Sequence, residues 1–378
     1  MKIARVVHTL YPESEGDFFG TYELSQKQVL EGHSVRLYTW SLGKRPSIVG
    51  ANGRLTITRL GGPNLGIPFL FGEYPILPGL GNQIASEGSD VLHAHSHLFI
   101  TSLQAGLAAR KAKLPFVVSV HGVIARRGLL TDALQWAYLR TLGIGVFRMA
   151  DRVVCVSRGD VEEVSALGCP REKIRMVPNA VDSAFFRPRA SARREDEVLW
   201  VGRFVPEKGL DVLLRAMKIV LGQRKAVLRL VGDGPGMGLM QELSRRLGIR
   251  QYVIFEGRVG KEQVGKLMSE ASVFALPSVK EGLPKVLLQA MASELAVVAS
   301  KIPGVVDVVL DEQNGVLFEQ GNVQSLAGSI SSLLGDPTRM RSLGKIARET
   351  MMHDYTWERT LAGLDRVYDE AREAAEQH

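Results

Sequence analysis

The feature that most constrains this chain is an alternation, run through twice, of short β-branched stretches with helix-length amphipathic segments. In the first half Ile3 to His8 precedes an amphipathic segment from Tyr22 to Glu31. Val35 to Thr39 comes next, then Val91 to His95 with Leu103 to Lys111, Phe116 to His121, and Arg152 to Ser157. Parallel strands need a crossover long enough to hold a helix, so this rhythm predicts a parallel sheet wrapped by helices. Each strand ends in a polar or glycine-containing loop. Ligands of open α/β sheets sit at those carboxyl ends, which is where the reading places His8, His95 and His121. After Pro178 to Asp182, the charged, proline-containing run from Arg187 to Glu197 has no apolar period and reads as an interdomain linker. The alternation then restarts. Strands are expected at Val198 to Val201, Val227 to Val231, Val253 to Glu256, Val273 to Leu276 and Val297 to Ala299. The helices between them are Gly209 to Val220, Leu239 to Leu247, Lys261 to Met268 and Pro284 to Ala292. Two similar halves imply a cleft, a preferred place for ligands. In the last segment, Thr356 to Glu376, the residues Leu361, Leu364, Val367, Tyr368 and Ala371 recur at helical spacing and form one apolar stripe.

A chain of 378 residues is long enough for two cores. With 45% hydrophobic and 23% charged residues it has the composition of a packed globular protein. Its two cysteines, Cys155 and Cys169, make neither a disulfide framework nor a zinc spacing. The run Met1 to His8 is too short for a signal h-region and reads as a first buried strand. No stretch approaches the roughly 18 apolar residues of a spanning helix, so a cytoplasmic location is expected, with membrane contact at most peripheral, at the inner face. The net charge is +7. Residues 1 to 182 carry 20 Lys and Arg against 15 Asp and Glu. That bias suits a phosphorylated substrate or an anionic membrane surface. It equally describes a solvated basic surface, and no aromatic-basic module supports a nucleic-acid partner.

Three loops carry the chemistry. The first, Gly202-Arg203-Phe204-Val205-Pro206-Glu207-Lys208-Gly209, leaves a strand and enters a helix. A guanidinium that grips phosphate bidentately and a compact ammonium beside it can stabilise a departing diphosphate; two surface cations near a helix start are the other reading. The second, Gly232-Asp233-Gly234-Pro235-Gly236, fails the G-x-G-x-x-G dinucleotide pattern, because the last position is Met237 or Leu239. It remains a tight turn, near a nucleotide or merely structural. In the third, Glu281 and Gly282 precede a helix that Pro284 is placed to begin. Backbone amides there would face an anion, the Glu281 carboxylate would accept from sugar hydroxyls, and Gln289 would reach a ribose. An ordinary capped helix with an exposed acid is the alternative.

In their order and spacing these loops resemble the retaining glycosyltransferases of family 4, which have the GT-B fold. Glu31 to Val35, Asp90 to His95, Ser119 to Gly122, Ala150 to Ser157, Val177 to Asp182 and Tyr355 to Glu358 match as well. The resemblance implies two Rossmann-like doubly wound α/β domains facing across a cleft. These would be an acceptor-side domain over 1–183, a nucleotide-sugar-binding domain over 184–354, and a terminal helix over 355–378 crossing back to the first. It implies that Arg203 and Lys208 hold the donor diphosphate, that Glu281 touches the donor sugar, and that His121 lies beside the transferred sugar. It assigns donor contacts to Gly202, Gly232, Gly234, Gly282, Leu283, Pro284, Val286, Leu287 and Gln289. Neither metal nor cofactor is expected, since attack on the face the diphosphate leaves needs no protein nucleophile and the chain has no Asp-x-Asp pair. The implied partners are a nucleoside-diphosphate sugar and a carbohydrate, lipid-linked or small-molecule acceptor, in surface polysaccharide or glycolipid assembly.

Two departures stand out. Gln289 occupies the place of a second glutamate, and Gly16-Asp17-Phe18-Phe19-Gly20 replaces a loop of adjacent glycines, so Asp17, Phe18 and Phe19, with His95 and Arg126, are the acceptor-side candidates. The alternating His93, His95 and His97 imitate a metal site on one strand face, but no cysteine or acid completes a ligand set, and strand-end histidines bonding locally are preferred. Arg126 and Arg127, near Trp136, read as a basic loop or as a contact to an acceptor phosphate or lipid head group. The Gly- and Pro-rich segment from Gly61 to Asn82 is long enough to gate the acceptor side. A nucleotide-sugar epimerase, a phosphorylase or a non-catalytic sugar-nucleotide-binding subunit would share the architecture.

Overall fold

The computed structural model describes all residues except 11–19, 42–46, 52, 66–73, 123–132, 134–135, 189–193, 195 and 378. Asp17, Phe18, Phe19, Arg126 and Arg127 therefore lie outside the described residues, as does the middle of the Gly61 to Asn82 segment. The chain divides into two compact units. One comprises Met1–Val177 with Leu361–His378, the other Pro178–Thr360.

The first unit is built on an eight-stranded sheet of order β3-β4-β2-β1-β5-β6-β7-β8. Its strands are β1 (Lys2–Val6), β2 (Ser34–Ser41), β3 (Ser47–Ala51), β4 (Leu55–Gly61), β5 (Val91–His95), β6 (Phe116–Val120), β7 (Arg152–Cys155) and β8 (Ile174–Met176). All neighbours run parallel except β3 and β4. Alternate residues of the central strands, Ala4 and Val6, Leu92 and Ala94, Phe116 and Val118, enter one apolar cluster with Val146 and Phe147. The opposite face carries Arg5, His93, His95 and Ser119, which are also buried. Period-two alternation here separates an oily layer from a buried polar one, both closed off from water.

The second unit holds a six-stranded parallel sheet of order β11-β10-β9-β12-β13-β14. Its strands are β9 (Glu197–Val201), β10 (Val227–Val231), β11 (Val253–Gly257), β12 (Val273–Leu276), β13 (Ala296–Ser300) and β14 (Val316–Phe318). Strands β12 and β13 are buried at every position, as a parallel strand covered on both faces must be. Trp200, Leu213, Leu214, Met217, Leu228 and Leu230 sit in its core at 0% exposure, each contributing roughly 2 kcal/mol through burial.

In both sheets the strand order reverses beside the first strand of the unit, between β1 and β5 and between β9 and β12. Loops leaving adjacent strands at such a point part in opposite directions and open a crevice at the carboxyl edge. The apolar stripe of the last helix, Trp357–Glu376, is buried at Leu361, Leu364, Val367, Tyr368 and Ala371. Both cysteines are buried free thiols. No helix among the described residues is long and apolar enough to cross a membrane.

Candidate functional site

In the second unit the loops after β9, β10, β12 and β13 knit together at the switch point. Gly202 N–H donates to the Val231 carbonyl at 3.0 Å and Phe204 N–H to that of Asp233 at 2.8 Å, which ties the β9 loop to the β10 loop. On its other side Val279 N–H donates to the Glu207 carbonyl at 2.8 Å. Such close backbone approach excludes side chains. A Cβ on Gly232 would lie 1.8 Å from the Gly202 carbonyl oxygen, and one on Gly234 2.8 Å from the Phe204 backbone. Gly209 turns the chain into the helix Leu210–Gln223 at φ +63, with a Cβ position 2.0 Å from the Pro277 carbonyl oxygen.

The knitted loops bring the candidate side chains together. Lys208 Nζ donates to Glu281 Oε1 at 2.6 Å, and the Ser278 hydroxyl donates to that same oxygen at 2.7 Å. The Ser278 side chain is fully buried and that of Glu281 is 10% exposed, so the carboxylate is fixed through Oε1 while Oε2 is the atom left to meet a ligand. Lys208 keeps two further N–H donors for an anion. Arg203 is exposed at the loop tip. Pro284 caps the helix Lys285–Ala292 and is not its first residue; with no N–H to give and a φ of −70 it ends the loop and enters the helical ladder only as an acceptor, through its carbonyl. The side chains of Leu283 and Leu287 are buried, the Leu283 carbonyl accepts from Asn179 Nδ2 at 3.0 Å, and Leu287 N–H is bonded to the Pro284 carbonyl. Neither residue has a side chain to offer a ligand. Val286 and Gln289 are half-buried on the same helix.

Ser278, Asn179 and Gly304, which the sequence did not single out as candidates, bond to or pack against these loops. A Cβ on Gly304, whose φ is +79, would fall 1.6 Å from the Gly282 carbonyl oxygen, so the β13 loop supports the Glu281-Gly282 turn from behind. The signal available for Gly304 was a lone Pro-Gly pair after a strand, which many turns share.

The first unit carries a buried polar cluster on β1, β5 and β6. Arg5 donates to Ser25 Oγ and to Gln28 Oε1, each at 2.6 Å, and to the Tyr368 hydroxyl at 3.3 Å, which also accepts from Gln28 Nε2 at 3.3 Å. With two donors aimed at its oxygen, Tyr368 must give its own proton to His93 Nδ1, 2.8 Å away. His93 is thereby the Nε2–H tautomer and donates to Ser119 Oγ at 2.7 Å. The His95 ring stacks on His93 with centroids 4.4 Å apart, and its Nδ1 lies 3.0 Å from His121 Nε2. The half-buried His121 is followed by Gly122 at φ +90.

His97 does not join them. Ser96 has a left-handed backbone with φ +68, which breaks the strand alternation, and the His97 ring stacks instead on Phe147 in the apolar layer. The expectation of three histidines on one face is corrected to two. His8 stacks flat on Phe99 at 3.6 Å. Burial holds His8 and His97 down to about 3. Burial, with Arg5 and the neighbouring histidines, holds His93 and His95 well below 6.5. All four rings are neutral. Trp136 is exposed, with the Arg140 guanidinium 3.8 Å over its ring.

Comparison with known proteins agrees with this architecture. Residues 182–350 match the family described as glycosyl transferases group 1, and residues 20–185 match glycosyltransferase family 4. A D-inositol 3-phosphate glycosyltransferase of Segniliparus rotundus is 31% identical over 298 residues, covering 72% of this chain and 65% of its own length. Among solved structures, sucrose-phosphate synthase from Thermosynechococcus elongatus superposes with a TM-score of 0.80 at 22% identity, over 99% of this chain and 100% of that one. Anabaena HepE, solved in complex with UDP-glucose, superposes with a TM-score of 0.80 at 18% identity, over 98% and 100% of the two chains. Two parallel-sheet units, the switch-point loops and these matches together show that the chain belongs to the glycosyltransferases of group 1, family 4, with the GT-B fold.

Proposed function

We propose that this glycosyltransferase moves a hexose-type sugar from a nucleoside-diphosphate sugar to a glycan, glycolipid or small-molecule acceptor, with retention and without a metal. The observation that carries the reading is the Lys208–Glu281–Ser278 constellation at the carboxyl edge of β9 and β12. A carboxylate clamped through one oxygen presents the other to sugar hydroxyls. The ammonium beside it, with Arg203 on the same loop, supplies the charge a diphosphate leaving group needs. The structural relative HepE binds UDP-glucose, which supports a donor of this class.

In the proposed reaction the acceptor oxygen attacks the anomeric carbon on the face from which the diphosphate departs. The bond from that carbon to phosphate oxygen breaks, its electron pair stays on the diphosphate, and the same oxygen takes the acceptor proton. Arg203 and Lys208 stabilise the growing phosphate charge, Glu281 fixes the sugar, and His121 takes the sugar contact that the family resemblance implies. Transfer takes place on the cytoplasmic side, in contact at most with the inner membrane face.

Calorimetric binding of UDP, GDP and ADP, with and without attached sugars and with chelator present, tests this. Tight binding of one nucleotide that Arg203→Ala weakens by about 2 kcal/mol, the scale of a charge-assisted hydrogen bond, supports the donor site and names the base. Absence of binding to all of them overturns it.

A further inference from the structure

His95 ends β5 at 2% exposure, and its Nδ1 shares a 3.0 Å hydrogen bond with His121 Nε2. Two imidazoles joined by one such bond divide the roles, one giving N–H and the other a lone pair. The surroundings of His95 decide which. Its other nitrogen, Nε2, is buried and meets no hydrogen-bonding group among the described residues. A buried N–H without an acceptor is rarer and more costly than a buried lone pair without a donor. The neutral ring therefore keeps its proton on Nδ1 and donates it to His121. The neighbouring ring offers no alternative, because both nitrogens of His93 are already committed to Tyr368 and Ser119.

We propose that His95 is a positioning residue that holds His121 as its Nδ1–H tautomer, the form that a histidine side chain in water does not favour. With Nε2 engaged by His95, the ring nitrogen of His121 that carries the proton is Nδ1, and His121 acts on a bound sugar as a hydrogen-bond donor and not as a general base. This consequence for catalysis rests on the donor reading given above. The tautomer itself does not, and it is measurable in the free protein.

Long-range proton–nitrogen correlation on the full chain labelled with nitrogen-15 histidine reads the tautomer directly, with His121 assigned by the signals lost in His121→Gln. The expected wild-type spectrum shows a protonated Nδ1 and a pyridine-like Nε2. In His95→Leu the His121 signals move to the Nε2–H form. In His95→Asn, whose side-chain amide sits where Nδ1 was, they stay as in the wild type. A proton on Nε2 in the wild type overturns the proposal without any variant, and so does a His121 tautomer indifferent to His95→Leu.

Turnover of the nucleotide sugar selected by the binding panel adds a second readout. Here kcat falls about tenfold in His95→Leu, the loss of one hydrogen bond, with KM changed less than about twofold and most of kcat restored in His95→Asn. Equal kcat in His95→Leu and the wild type removes the catalytic consequence. A panel without any donor removes the donor reading and leaves the tautomer result standing.

Discussion

Glu281 shows how little of a candidate site residue is its own chemistry. A carboxylate on a loop is a mobile acceptor; this one is fixed because Lys208 and the buried Ser278 hydroxyl both donate to Oε1, leaving Oε2 aimed by default. Ser278→Ala removes one of those two bonds without touching the charge pair. It should weaken binding of a nucleotide sugar about tenfold or more, the value of one hydrogen bond to a charged group, and leave free nucleotide binding unchanged. Titration of both ligands checks this, and an equal loss for each would show that Ser278 supports the whole loop. Gln289 belongs to the same scale. Its amide gives and accepts hydrogen bonds, and its half-buried place on the helix Lys285–Ala292 is where the resemblance puts a ribose contact.

Among the elements, the loop from Gly202 to Gly209 and the last helix hold their units' candidate sites in place. The loop is threaded between its neighbours by backbone bonds, and Gly209→Ala would place a Cβ 2.0 Å from the Pro277 carbonyl oxygen at a φ of +63. The turn must shift, at a cost of roughly 2 kcal/mol or more, and the Lys208–Glu281 pair shifts with it. Urea unfolding followed at Trp200 should register the loss, and an unchanged midpoint would mean the loop relaxes freely. The last helix inserts Tyr368 into the buried layer of the first sheet and lays Glu370 against Arg152 and Arg175 at 2.9 and 2.7 Å. Tyr368→Phe keeps the ring and removes the hydroxyl. His93 then loses its donor, while Arg5 and Gln28 lose an acceptor. Stability should drop by about 1–3 kcal/mol, the penalty for stranding buried polar groups, measured as a lower urea midpoint.

Across the whole molecule, the histidines are divided unequally. Of the eight, the four buried and neutral ones, His8, His93, His95 and His97, are all in the first unit, and the one histidine of the second, His353, is exposed. Their folded-state values lie below 6.5, so the unfolded chain binds more protons and stability rises with pH. Their contribution is complete above 6.5 and falls as pH drops below it, for His8 and His97 as far as about 3, at up to about 1.4 kcal/mol per pH unit for each ring. Calorimetry between pH 7 and 4.5 should therefore show the transition of the first unit moving down ahead of that of the second. Parallel movement of both would contradict it. The sequence by itself determined the two parallel sheets, since strands covered by helices must be apolar enough to read at Val91 to His95, Val227 to Val231 and Val273 to Leu276. It also put Arg203, Lys208 and Glu281 on loops after strands. The strands β3, β4, β8 and β14, at or next to the sheet edges, escaped it, because a short or half-covered strand has little pattern to read. Only the tertiary structure decided that Lys208 meets Glu281 across 73 residues, that His95 meets His121, and that His97 turns away at Ser96. Those pairings follow from strand order, register and a single backbone angle, which depend on packing between distant segments and leave no trace in local periodicity.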